Sequence, residues 1–176
     1  MASPVGHALI GVGLAALSVP LLGVAPDPTL WIGAVIASGV PDLDLVGVLL
    51  GFKRERVHRK ATHSFFFLGV LAGLALWVSR WPGMPFGTNA VWVWVIDLLA
   101  HPLVDTLTTT GRPGQPDWGI PLFWPFSSRR YCVARPLVQP PSLDSYASKS
   151  LWRALWPELA IFGSTCLSMI VLGSLL

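Results

Sequence analysis

The chain has 176 residues, of which 53% are hydrophobic and only 12% carry a charged side chain. A soluble domain usually has about 25% charged residues, so the composition argues against an ordinary soluble domain and indicates that lipid surrounds much of the chain. The formal net charge is +3, but the positions of the basic residues explain this charge without nucleic-acid binding.

Five apolar segments have the character of membrane-spanning helices, which need ~20 residues to cross a bilayer. Numbered 1 to 5, they comprise residues 5–25, 30–51, 63–80, 89–107 and 154–176. Segment 1 has no basic residue before it and contains four glycines and Pro20, which favour a packed transmembrane helix over a signal peptide. The sequence therefore predicts an all-α integral membrane protein, a single domain over residues 1–176 with about five transmembrane helices.

The connections between the segments set the predicted orientation. A basic loop, KRERVHRK, separates segments 2 and 3, and a Pro- and Trp-rich connection, 108–153, separates segments 4 and 5. With five helices, both lie on the side where the chain begins. That side holds 11 of the 12 basic residues: Lys53, Arg54, Arg56, Arg59, Lys60, Arg112, Arg129, Arg130, Arg135, Lys149 and Arg153. The positive-inside rule predicts that this side is cytoplasmic, with the amino terminus inside, the carboxyl terminus outside and 108–153 at the cytoplasmic interface.

Histidines and aspartates gather on the same predicted side. They are His7 in segment 1, Asp42 and Asp44 in segment 2, His58 in the basic loop, His63 at the start of segment 3, and His101 and Asp105 in segment 4. A carboxylate at the bilayer centre costs roughly 2.5–3.5 kcal/mol on insertion scales, and segments 2 and 4 contain no Lys or Arg to compensate. A divalent cation is the natural compensation, and imidazole with carboxylate suits zinc, manganese or iron better than calcium or magnesium.

Helical spacing refines the predicted roles. Residues 97, 101 and 105 form one stripe on segment 4, so His101 and Asp105 can reach the same ion. Asp97 lies one turn deeper, where it would orient an imidazole from outside the coordination sphere or bond a Ser or Thr of a neighbouring helix. Asp42 and Asp44 lie on opposite faces of a regular helix. Either Pro41 breaks the helix, or only one of the two is a ligand.

The predicted metal site holds one or two ions, with zinc preferred and manganese or iron as alternatives. The predicted ligands are His7, Asp42, His63, His101 and Asp105. Asp44 or His58 would be the general base or a further ligand, and Thr62 would cap the next helix and support the site without touching the ion. Arg59, with Arg129 or Arg130, would bind a phosphate, which favours a phosphoester of a membrane lipid or polyprenol as substrate. The alternatives are an interfacial His7, a solvated His58 and a basic run that only anchors the chain to anionic lipid.

Several motifs, in order, resemble the YdjM-like family of small inner-membrane proteins. They are GHALIG, VPDLD, HRKATHS, AHPLVDTLTTTG and GIPLFWPF, and the resemblance runs from His7 to about Pro136. The family's motif positions correspond to His7, Pro41, Asp42, Asp44, His58, Arg59, Thr62, His63, Ser64, His101 and Asp105, with Trp124, Pro125 and Phe126 in its aromatic-proline segment. Lys60 stands where the family often has glycine, and Asp97 is not a motif position. The resemblance implies a membrane-embedded hydrolase with a divalent metal site.

Two non-enzymatic functions are the alternatives. A metal-ion transporter would need a polar path to the far side, but the far halves of the segments hold few polar residues, chiefly Ser18, Ser79 and Asn89. A metal-stabilised membrane scaffold or regulator would hold its ion in a closed tetrahedral shell, whereas catalysis requires an open position.

Overall fold

The computed structural model describes residues 2–52, 61–109, 118–138 and 151–176. Within these residues the fold is helical, with one isolated β-bridge and no strand. The α-helices are α1 (Pro4–Leu22), α2 (Pro28–Gly39), α3 (Leu45–Leu49), α4 (Phe65–Val78), α5 (Thr88–Thr108) and α6 (Leu151–Leu175), and short 3-10 helices cover Val40–Asp44 and Ala61–His63. Among the described residues, four helical stretches are long and apolar enough to cross a membrane, and α4 is a shorter apolar helix. The predicted all-α membrane protein of about five helices is confirmed.

Side-chain caps define where the helices begin. Ser3 accepts a hydrogen bond from the backbone N–H of Gly6, and Asp27 accepts one from Leu30, each just before a proline. Ser64 caps α4 by accepting from the N–H of Phe67. The prediction that Thr62 caps this helix is wrong, because Ala61–His63 forms a 3-10 turn and α4 begins two residues later than expected.

Segment 2 is interrupted at its proline. The α-helix α2 ends at Gly39, and Val40–Asp44 continues as a 3-10 helix before α3. Pro41 has no N–H to donate, and its ring clashes with the carbonyl four residues back, which favours a kink or a break in the helix at this point. The break predicted as one of two alternatives is therefore present, and it changes the directions in which Asp42 and Asp44 point.

Helices α1 and α5 are the centre of the bundle. Helix α1 packs against α2, α5 and α6, and α5 packs against α1, α2 and α4. Small residues bring the backbones close: a Cβ added to Gly11 would lie 3.0 Å from the Cβ of Ser38, and one added to Gly13 would lie 3.0 Å from the Cα of Cys166. Such close approach is typical of helix packing in membranes. Large apolar side chains such as Ile32 and Leu74 remain exposed, as expected where lipid is the solvent.

Residues 118–138 form an irregular segment that is hydrogen-bonded to the ends of α4 and α5. The backbones of Ile120 and Tyr131 exchange hydrogen bonds of 2.8 and 2.9 Å. The N–H of Phe65 donates to the carbonyl of Leu122, and the N–H of Leu137 donates to the carbonyl of Leu107. The segment is thereby tied both to the start of α4 and to the end of α5, which is the end of the bundle that carries the histidines.

Candidate metal centre

Four side-chain atoms from three separate parts of the chain converge at one point. They are Oδ1 of Asp42, Nε2 of His63, Nε2 of His101 and Oδ2 of Asp105, all within 4.8 Å of one another. The His63 atom lies 3.4 Å from that of Asp105 and 3.5 Å from that of Asp42, and the His101 atom lies 3.7 Å from each. Ligands about 2.0–2.1 Å from a tetrahedral zinc are separated by about 3.3 Å. These four distances are 0.1–0.4 Å longer than that spacing, and the remaining two are within 4.8 Å, so the atoms surround a space of about the size that a metal ion needs.

Burial tests whether a cation fits this group, which we call the His/Asp cluster. The side chains of His63, His101 and Asp105 are 0% exposed and that of Asp42 is 11% exposed. Oδ1 of Asp42, Nε2 of His101 and Oδ2 of Asp105 find no hydrogen-bond partner in the described part of the chain. Buried polar atoms without partners cost free energy, and buried charges cost more. A divalent ion would satisfy these atoms and neutralise both carboxylates, so the donor set fits one.

The outer nitrogen of His101 fixes the direction of its inner one. Nδ1 of His101 lies 2.6 Å from the backbone carbonyl oxygen of Ser38 at the end of α2. Because a carbonyl only accepts, Nδ1 carries the proton and donates. In the neutral imidazole, Nε2 then presents its lone pair to the cluster, which is the usual arrangement of a metal-binding histidine.

A hydroxyl group orients the ring of His63 in the same way, through its outer nitrogen. Oγ1 of Thr62 donates to Oδ2 of Asp44 over 2.6 Å, and Nδ1 of His63 lies 3.0 Å from the same hydroxyl. The only proton of the hydroxyl goes to Asp44, so the hydroxyl accepts from Nδ1 of His63. Asp42 therefore lies on the inner side of the His63 ring and Asp44 on its outer side, 3.6 Å from Nδ1.

His7 contacts the cluster through Asp105. Its Nε2 lies 3.1 Å from Oδ1 of Asp105, the carboxylate oxygen that does not face the cluster. The ring of His7 also stacks on that of His101, with centroids 3.7 Å apart and planes 10° apart. The four converging atoms come together without an atom of His7, which was predicted as a ligand and here holds Asp105 and His101 from outside.

The electrostatics of the cluster favour a positive charge. His63 precedes α4 and lies outside the membrane-spanning helices. Burial lowers the pKa of its imidazole, but Asp105 and Asp42 raise it more strongly, from 6.5 to about 9. The carboxylates thus favour a proton on His63 when no other cation is near, and a metal ion would replace that proton.

The remaining predicted residues have varied surroundings. Asp97 is 1% exposed, and neither of its oxygens has a hydrogen-bond partner among the described residues, so the predicted bond to an imidazole is not present there. Arg129 is exposed, 5.4 Å above the ring of Tyr131. Nη1 of Arg130 donates to the carbonyls of Trp118 and Gly119 over 3.0 Å each. His58 and Arg59 lie outside the described residues.

Two polar groups that support the bundle or the site were not predicted from the sequence. Glu158 of α6 is 1% exposed, and its carboxylate accepts hydrogen bonds from both the N–H and the hydroxyl of Ser3. An acidic residue inside an otherwise apolar segment is a signal that could have indicated this contact. Ser38 contributes its backbone carbonyl, for which the sequence carries no signal.

Comparison with known proteins adds a family and a relative. The sequence profile of the family described as "YdjM inner membrane protein" matches residues 1–175. The chain is also similar to "Inner membrane protein YbcI" of Escherichia coli (strain K12), with 30% identity over 126 residues. The matched region covers 69% of this chain and 64% of that relative, so the chain spans less than two thirds of the relative's length. No solved structure matches significantly.

Proposed function

The chain belongs to the YdjM inner membrane protein family, and on this premise we propose that it is a membrane-embedded, metal-dependent hydrolase. One observation carries the proposal. Donor atoms of two histidines and two aspartates, held on three separate elements, converge in a buried site, and three of them lack hydrogen-bond partners among the described residues. Purely structural polar clusters usually pair such atoms with one another.

The proposed metal is zinc, with manganese or iron as alternatives. Asp42, His63, His101 and Asp105 would hold it, supported by His7, Thr62 and the carbonyl of Ser38. Catalysis requires that a position of the ion stay open to water; there the ion would lower the pKa of that water toward ~7 and polarise the scissile group. Two carboxylates and two neutral imidazoles would neutralise its charge, which lowers the free-energy cost of placing the ion in an apolar bundle.

Asp42 is the residue that we assign to the reacting side of the site. Its carboxylate alone among the four side chains retains some exposure, 11%, so water and substrate reach the cluster there. One oxygen of Asp42 faces the cluster, and we assign to the other the task of taking a proton from an attacking water. Asp44 keeps the ring of His63 in place through Thr62, and we assign it this positioning role rather than that of the base.

The proposed substrate is a phosphoester of a membrane lipid. With five spans and 11 of 12 basic residues on one side of the membrane, the site would lie in the cytoplasmic leaflet, with the amino terminus inside and the carboxyl terminus outside. Arg59 and the exposed Arg129 are our candidates to bind the phosphate. Arg130 would support them by holding the backbone of residues 118–119.

A metal-stabilised scaffold is the second candidate. It is favoured by the way the cluster and its neighbours join helix ends: His7 belongs to α1, Ser38 to α2, and His101 and Asp105 to α5. An ion there would stabilise the bundle without any reaction. The two functions differ in whether the metal-loaded wild-type protein turns over a phosphoester.

Turnover of phosphoesters distinguishes these functions. Purified protein loaded with zinc or manganese is offered lipid and water-soluble phosphoesters, and wild type is compared with Asp42→Asn. A hydrolase releases phosphate, and the variant loses at least about a hundredfold in kcat because it lacks the base and one of the four metal-holding carboxylates and imidazoles. Asp27→Asn, a helix cap far from the site in sequence, should retain activity. Wild type that binds metal stoichiometrically but releases no phosphate from any of these esters would favour the scaffold.

A further inference from the structure

An apolar groove of about 590 Å³ lies between α2, α4 and α5. Its walls include Ile36 and Ala37 of α2, Leu71 and Ala75 of α4, and Val95 and Leu98 of α5. Thr29 is the one lining residue with a polar side chain apart from the indole of Trp94. The volume lies within the range of small-molecule sites, roughly 300–1,000 Å³.

An aromatic residue forms a fixed wall of the groove. Nε1 of Trp94 donates to the backbone carbonyl of Leu30 over 3.1 Å. The indole lies directly over Gly33, where an added Cβ would be only 2.2 Å from the ring. Phe86 contacts the other side of the indole edge-on, with centroids 5.0 Å apart. Glycine at position 33 and these contacts hold the indole flat against α2, so the groove is formed by the fold.

One end of the groove lies close to the His/Asp cluster along the chain, although none of the four cluster residues lines it. Val40 and Leu98 line this end, and Asp42 and His101 follow them by two and three residues, which is less than one helical turn. The opposite end lies at Thr29, Pro85 and Phe86. From Thr29 to Val40 the groove follows α2 and its continuation for about 16 Å, at 1.5 Å per residue. Asp42, the partly exposed member of the cluster, stands where the groove ends.

We propose that this groove binds one acyl chain of a membrane phospholipid, with the lipid's phosphate end directed to the His/Asp cluster. The walls offer a hydrocarbon chain contacts and offer a polar ligand almost no hydrogen bonds. The inference rests on the proposed function and names its substrate class: a phospholipid with a free terminal phosphate, such as phosphatidic acid.

A photoreactive phosphatidic acid tests the groove directly. The probe carries a diazirine in one acyl chain and is mixed with detergent-purified protein, and the cross-linked residues are mapped by mass spectrometry. We expect cross-links on Ile36, Ala37, Leu71 and Val95. Cross-links spread evenly over exposed residues outside the groove, such as Leu74, Leu103 and Ile161, would overturn the proposal, because lipid would then coat the bundle without choosing the groove.

Filling the groove supplies the matched comparison. Ala75→Phe places a ring in the groove from α4, whereas Ala160→Phe adds the same ring at an exposed position of α6. We expect cross-linking in the groove to fall at least tenfold in the first variant and to be unchanged in the second, with metal content equal in both. Ala37→Leu is a smaller change that serves if Ala75→Phe does not fold. Equal cross-linking in all variants contradicts the proposal.

Two further outcomes separate the groove from the proposed function. Groove cross-links without phosphate release from any ester would sustain the binding site and reject the hydrolase. The opposite result is phosphate release from water-soluble esters that depends on metal, is unaffected by the groove-filling variants and occurs without groove cross-links. It would support the hydrolase and reject the binding site in the groove. A long polyprenyl phosphate that displaces the probe at lower concentration than unlabelled phosphatidic acid would overturn the choice of an acyl chain.

Discussion

The side chains of His101 and Asp105 each direct one atom to the cluster and use a second atom to bond a neighbouring group. His101 directs Nε2 to the cluster and donates Nδ1–H to the carbonyl of Ser38, and Asp105 directs Oδ2 to the cluster while Oδ1 accepts from His7. Each of the two residues is therefore oriented by a partner that does not itself join the four converging atoms. Loss of such a partner typically weakens metal binding by about 10–100-fold, whereas loss of a ligand does more.

His7→Phe tests the distinction between a partner and a ligand. Phenylalanine keeps an aromatic ring to stack on His101 but cannot donate to Asp105. We expect metal affinity to fall by about 10–100-fold, as measured by competition with a chelator of known affinity. A complete loss of binding, equal to that of His101→Ala, would show instead that His7 is itself a ligand.

Thr62→Val tests the hydroxyl between His63 and Asp44. Valine has nearly the shape of threonine but cannot link Nδ1 of His63 to the carboxylate. Metal affinity should fall by about tenfold or more, with little change in the unfolding midpoint. Ser64→Ala is the control, since it removes the cap of α4 and should cost about 1 kcal/mol of stability without weakening metal binding. The reverse pattern, with Thr62 affecting only stability, would contradict this role.

At the scale of the helices, the break in segment 2 decides which carboxylates reach the site. In a regular helix Asp42 and Asp44 would point in opposite directions. The 3-10 turn at Val40–Asp44 instead brings both to His63, one to each ring nitrogen. The same segment ends the groove and begins the cluster, so Pro41 joins the two features. A separate polar contact joins the start of α1 to α6: the carboxylate of Glu158 accepts hydrogen bonds from Ser3, which caps α1.

Glu158→Ala tests whether this polar contact stabilises the bundle. The substitution leaves the N–H and hydroxyl of Ser3 without their buried acceptor, which should cost about 1–3 kcal/mol. Unfolding in detergent should reflect this loss, while the metal content stays that of wild type. Ser168→Ala, on the exposed part of the same helix, should leave stability within about 0.5 kcal/mol of wild type. A fall in metal content of Glu158→Ala with unchanged stability would assign Glu158 to the site instead.

For the whole molecule, most of what could be predicted about the helices and the site came from the apolar segments and from the polar residues within them. Hydropathy located the helices to within a few residues. The cost of a carboxylate in lipid indicated that Asp42, Asp44, Asp97 and Asp105 require compensation, and two of the four, Asp42 and Asp105, belong to the cluster. The support of the site was less predictable. The carbonyl of Ser38, the stack of His7 on His101 and the path from Thr62 to Asp44 depend on how helices α1, α2 and α5 meet, which spacing along one helix does not reveal. The groove depends on the same packing.

Metal content is the most direct measurement of the central claim, that four converging side chains form a metal site. The metal bound to detergent-purified wild type is compared with that of His101→Ala and of Leu103→Ala, a truncation on the exposed face of α5. We predict stoichiometric zinc, manganese or iron in wild type and in Leu103→Ala, and its loss in His101→Ala. Wild-type protein that holds no metal, even after zinc or manganese is added, would contradict the claim and leave the His/Asp cluster a purely structural one.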